Sequence, residues 1–153
     1  MGSCLTLFLG GTVGESKWRD ELIPFLEHEK LSYYNPVVDD WNDAARDAEM
    51  AVKSSPNTVE AYVITKDMKG VFSIAEAVDA SNKKPDRTIF MVQREGFDQH
   101  QLNSLDATLD LIKKNGAYIV SSLYGLALTF KGIELEHRAK RVSIIARREK
   151  LSE

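Results

Sequence analysis

The chain has 153 residues, 43% hydrophobic and 28% charged, which is enough for one domain with a real core and too apolar for a disordered segment. A formal charge of −3 gives no electrostatic case for nucleic acid or a membrane surface as partner. The single cysteine, Cys4, excludes an internal disulfide and a cysteine-only metal cage. The opening apolar run is too short for a signal peptide, and no stretch approaches membrane-spanning length, so a cytoplasmic location is expected.

Residues 5–9 form an apolar run that ends in Gly10-Gly11-Thr12, which predicts a buried strand and a tight turn. Trp18, Leu22, Phe25 and Leu26 recur at helical spacing, and Pro24 inside that pattern predicts a kink or an early break. A second strand is expected over residues 32–35, followed by an acidic loop and a helix over about 42–54. Residues 58–65 are rich in β-branched and aromatic side chains and read as a third, buried strand. Residues 66–72 are polar, with Gly70 as breaker, and Ser73 is expected to open the next helix. A fourth strand over 88–92, a helix marked by Leu102, Leu105, Leu109 and Ile112, and a fifth strand over 117–120 follow. The remainder continues helical and turns basic, so the whole of 1–153 reads as one domain with a basic helix over about 123–150. Strands alternate with helices five times, which implies right-handed crossovers and a mainly parallel sheet covered on both faces. The expected order is 2-1-3-4-5, with the switch point between strands one and three. The glycine loop and the 66–72 loop then face each other across one crevice.

Three features carry candidate chemistry. Gly10, Gly11 and Thr12 follow a buried strand, where backbone N–H groups can approach an anion, although a plain tight turn explains them equally well. No Walker lysine motif or dinucleotide fingerprint is present, so nucleotide triphosphate hydrolysis is not expected. Asp39-Asp40-Trp41 places carboxylates and a stacking aromatic after strand two, and Asp40 also suits an N-terminal cap. Glu76 lies just past strand three, where open α/β sheets collect ligand chemistry. On local pattern Ser73-Ile74-Ala75-Glu76 is the better match to a capping box, in which Glu76 bonds back to the Ser73 N–H. The histidines His28, His100 and His137 have no metal-ligand spacing, and neither a metal nor a cofactor is expected.

Together these residues resemble the nucleoside 2-deoxyribosyltransferase-like family, which also holds nucleotide N-glycosidases. The resemblance rests on Phe8-Leu9-Gly10-Gly11-Thr12, on Trp18-Arg19, on Asn35-Pro36 with Asp40-Trp41, and on Tyr62-Val63-Ile64-Thr65 through Gly70 to Ser73-Ile74-Ala75-Glu76. It spans roughly residues 5–92. It implies a flavodoxin-like, Rossmann-like three-layer sandwich. It implies cleavage or exchange of the N-glycosidic bond of a 2′-deoxynucleoside or its 5′-monophosphate, with Glu76 as nucleophile. An aspartate would protonate the leaving base, Asp40 first and Asp67 second with Asp39 and Asp47 as further candidates, while Gly10, Gly11, Thr12, Trp41 and Ser73 would hold substrate. A homo-oligomer and a small-molecule nucleoside or nucleotide are the implied partners. The chain departs from the family at Phe8, where a tyrosine often orients the glutamate, and at Ala77, where many members have glycine. The alternative from another class is a nucleotide-binding or signal-sensing module without turnover.

Overall fold

The computed structural model describes residues 3–152, which form five parallel strands and five α-helices in strict alternation. Strands β1 (Thr6–Gly11), β2 (Ser32–Tyr34), β3 (Thr58–Ile64), β4 (Thr88–Val92) and β5 (Tyr118–Val120) pair in the order β2-β1-β3-β4-β5. Every pairing is parallel, and the β1–β3 ladder runs from Thr6↔Thr58 to Gly11↔Val63. The expected α/β sandwich and strand order are therefore present.

All seven residues of β3 are buried, as a central strand covered on both faces requires. Alternation sends Val59, Ala61 and Val63 to one core and Tyr62 and Ile64 to the other. Helices α1 (Trp18–His28) and α5 (Leu123–Ser152) cover the first face through Trp18, Leu22, Leu26, Leu126 and Phe130. Helices α3 (Phe72–Lys83) and α4 (Gln99–Lys114) cover the second through Ala77, Ala80, Leu105 and Ile112. Helix α2 (Asp43–Ser54) lies on that same side but has no buried residue, and Val52 is its contact with the core.

Local details correct several sequence expectations. Helix α1 runs through Pro24 to His28 without the expected break. Pro24 and Asp20 are both exposed, so the carbonyl left without an N–H partner can reach water. Asn42, not Asp40, caps α2, by accepting from the Ala45 N–H at 2.9 Å. Helix α3 begins one residue before Ser73, after Val71, with no side-chain cap; the capping box that would have occupied Glu76 does not form. The glycines belong to β1 itself rather than to a turn after it.

Gly11 has φ +116°, and a Cβ there would sit 2.1 Å from the Val63 carbonyl oxygen. Two strands meet here at a distance that only glycine allows. Gly14, with φ +83°, has nothing within 4 Å of a built Cβ. Gly11→Ala is expected to cost about 3 kcal/mol or more, and Gly14→Ala about 1 kcal/mol; chemical denaturation of both variants checks the difference.

Buried Glu134 ties α5 to the start of β1. Its Oε1 accepts from the Cys4 N–H at 2.6 Å and its Oε2 from the Leu5 N–H at 2.8 Å, and Arg138 Nε donates at 2.8 Å. Burial alone would raise its pKa, but these donors outweigh it and hold the carboxyl below the ordinary value. The stabilisation is therefore present above the unfolded carboxylate value of about 4.3 and is lost as pH falls through the lower folded value. Glu134→Gln should lose about 2 kcal/mol near neutrality, with the gap to the parent closing in acid; melting temperature against pH reads both.

Candidate functional site

The crevice opens where β1 and β3 end side by side. Thr12 N donates to the Val63 carbonyl at 2.9 Å, and Thr65 N donates to Thr12 Oγ1 at 2.9 Å. The two loops are thus pinned together at their roots. Arg19 completes the junction from α1, donating through Nε to Leu9 O at 3.0 Å and through Nη1 to Thr12 O at 2.7 Å. Burial lowers the Arg19 pKa to about 10, still far above neutrality, so the guanidinium stays charged.

A cavity of about 400 Å³ lies over this junction, a volume suited to a nucleoside-sized ligand. Gly10, Gly11, Trp41, Ser73, Glu49 and Glu76 are among its lining residues. A Cβ at Gly10 would lie 2.6 Å from the Tyr62 ring, so the glycine lets that ring pack directly against β1. Trp41 stands at the rim, 57% exposed, with its indole open to stacking. A second cavity of about 590 Å³ adjoins the first, sharing Gly11, Gly14 and Ser73, and carries Thr12, Lys66, Asp67 and Lys69. The glycine loop and the 66–72 loop do face each other there.

The structure gathers the sequence-derived candidates unevenly. Glu76, Gly10, Gly11, Trp41 and Ser73 line the first cavity. Thr12 is buried, uses its hydroxyl to accept from Thr65, and lines the second. Asp67 also lines the second cavity, not the one that holds Glu76, and Asp40 is exposed and lines neither.

A network of charge that connects α2, β3 and α3 lines a further cavity of about 780 Å³, which shares Trp41, Glu49 and Glu76 with the first. Lys53 Nζ donates to Glu76 Oε1 at 2.5 Å and stands 3.9 Å from Glu60 Oε1. Glu60 is 4% exposed in the middle of β3, a site that demands partners for a carboxylate. It has them: the Tyr62 hydroxyl donates at 2.6 Å, and the Lys84 ammonium contacts Oε2. Burial, then the Glu60 charge and hydrogen bond, hold the Tyr62 phenol well above its ordinary pKa, so it remains a donor. The Lys53 ammonium also lies over the Phe8 ring, 5.5 Å from its centroid.

Glu49, one turn before Lys53 on α2, is the acidic residue that the sequence reading missed. It lines the same cavity as Glu76. Burial and the Glu76 charge raise its pKa above the ordinary value, against the opposing pull of Lys53 and Arg19. Glu49 thus shares its cavity with a second carboxyl group and holds its own proton more tightly than an ordinary glutamate. Sequence held one clue: a charged residue, Glu60, inside an otherwise buried strand calls for cations on the neighbouring elements. Among the described residues no cluster of three or more His, Cys, Asp or Glu stands where it could hold a metal ion, and no helix is long and apolar enough to cross a membrane.

Residues 4–95 match the family model described as nucleoside 2-deoxyribosyltransferase like. The match covers well over half of the chain and runs from the start of β1 past the end of β4, so it includes Glu49, Lys53, Glu60 and Glu76. No curated protein and no solved structure matches the chain. The chain belongs to the nucleoside 2-deoxyribosyltransferase-like family.

Proposed function

We propose that the protein cleaves or exchanges the N-glycosidic bond of a 2′-deoxynucleoside or its 5′-monophosphate, with Glu76 as nucleophile and Glu49 as the acid for the leaving base. The observation that carries this reading is the state of Glu76. It is free of any capping role and lines a nucleoside-sized cavity, and among the described residues the hydrogen bond it accepts comes from Lys53, at Oε1. A carboxylate in that setting suits attack on an oxocarbenium-like sugar carbon.

In the first step, Glu76 Oε2 forms a bond to C1′ as the C1′–N bond breaks. The bond pair passes to the base nitrogen, and the base takes the Glu49 proton. In the second, water or another base attacks C1′, Glu49 accepts the incoming proton, and the ester opens to restore the Glu76 carboxylate. Glu49 is preferred to Asp40 and Asp67 for the acid because it shares the cavity with Glu76 and its raised pKa keeps more of it protonated. Lys66 and Lys69 on the adjoining cavity support a 5′-phosphate there, beside Ser73.

Chromatography of a panel of 2′-deoxynucleosides and their monophosphates after incubation tests the reading. Release of free base supports it, and binding without release points instead to a nucleotide-sensing module. Glu76→Gln should keep the fold by circular dichroism and lose base release by about 10⁴-fold or more. Turnover equal to the parent would end the nucleophile assignment.

Glu49→Gln should lower turnover of natural substrates by about 10²-fold to 10⁴-fold, with far smaller loss on a substrate whose leaving group needs no proton. Because the acid must be protonated, the parent rate should fall as pH rises through the elevated Glu49 value. That limb should vanish in Glu49→Gln, which a pH–rate profile of the two proteins records.

A further inference from the structure

We propose that Lys53 is a positioning residue for Glu76: its ammonium fixes one carboxylate oxygen so that the other is presented to the sugar carbon. This role rests on the nucleophile reading above. It adds a residue on a different helix whose contact with the substrate is not required.

The contact has a defined geometry. Lys53 Nζ holds Glu76 Oε1 at 2.5 Å, and the two side chains are 24% and 17% exposed. The ammonium is itself located from three directions. Glu60 Oε1 stands 3.9 Å away, and the Phe8 and Tyr62 rings lie with centroids 5.5 Å and 6.0 Å from Nζ. A lysine on a solvated face has many rotamers, but one over two aromatic faces and between two carboxylates has few. Its backbone is fixed as well, since Lys84 Nζ donates to the Lys53 carbonyl at 3.0 Å and also contacts Glu60. Oε1 of Glu76 is therefore referenced to β3, the most buried strand, through Lys53 and Glu60.

Phe8 explains why a cation takes this task. Phe8 lies in register with Glu60 and forms part of the crevice wall, but its ring carries no donor. Glu49 from α2 and Glu60 from β3 are the other acids of this cluster, and Arg19 from α1 acts on Glu49. Without Lys53, three carboxylates would face Lys84 and Arg19, and Glu76 would lose the ion pair that it makes among the described residues. A loose nucleophile loses rate without losing affinity, because the substrate is still held by the cavity.

Two measurements test the role. Carbodiimide treatment of the native protein, followed by tryptic peptide mapping, should reveal a zero-length Lys53–Glu76 amide formed with loss of one water. Absence of that cross-link, while the surface pair Lys83–Asp79 is captured, overturns the pairing. On whichever deoxynucleoside or monophosphate the parent cleaves, Lys53→Met should lower kcat about 100-fold with KM little changed. Lys53→Arg should restore kcat to within about tenfold of the parent, since it returns the charge and a donor. A Lys53→Met protein with parental kcat overturns the role and leaves the function standing, as does a loss that Lys53→Arg does not repair. No base release by the parent across the whole panel overturns the function, and this role with it.

Discussion

The close approach of β1 to β3 at Gly11 governs the site. Gly11 lies against the Val63 backbone so tightly that a single methyl group would displace one strand from the other. The contact occurs at the last rung of the β1–β3 ladder, and β3 ends one residue beyond it. The Thr12 and Thr65 bonds then hold the two departing loops together for one more residue on each side. Topology alone brings two distant loops to the switch point. The glycine contact and the threonine pair turn that neighbourhood into fixed geometry, from which Ser73 and Glu76 are placed by the start of α3.

A second level of order is electrostatic. Glu60 is a costly residue to bury, and truncating one member of such a group is strongly destabilising while the whole is not a strong source of stability. Its effect is better read as specification. Through Lys53 and Lys84 the carboxylate fixes the distance between α2 and β3, and through Lys53 it reaches α3 at Glu76. Apolar contacts on this side of the sheet tolerate sliding, whereas a network of two ammoniums and two carboxylates has one good arrangement.

The backbone plan was legible in the sequence because it depends on local signals. β-branched runs, breakers and apolar periodicity mark elements wherever they lie, and alternation dictates parallel pairing. Glu76 was legible as a candidate through its place after β3. Its freedom from a capping box was not, since the start of α3 shifts by one residue and Val71 takes the cap position. Asp40 drew attention because it sits beside Trp41 in sequence, yet the chain turns it outward while Asn42 makes the cap. Glu49 and Lys53 stayed hidden for a related reason. Four residues apart on a polar helix, they look like an ordinary surface ion pair. Only the rotation of α2 against the sheet, set by tertiary contacts, turns that face towards Glu60 and Glu76.

Helix α2 carries Glu49 and Lys53 yet has no buried residue. Elements held by few apolar contacts open at a lower free energy than the core they rest on. Helix α2 is thus held less firmly than the strand core to which its Lys53 reaches. On heating, α2 is expected to loosen while the sheet stays paired, and Glu76 then loses its partner in a protein that still looks folded. Loss of activity is then expected to precede the melting of the fold.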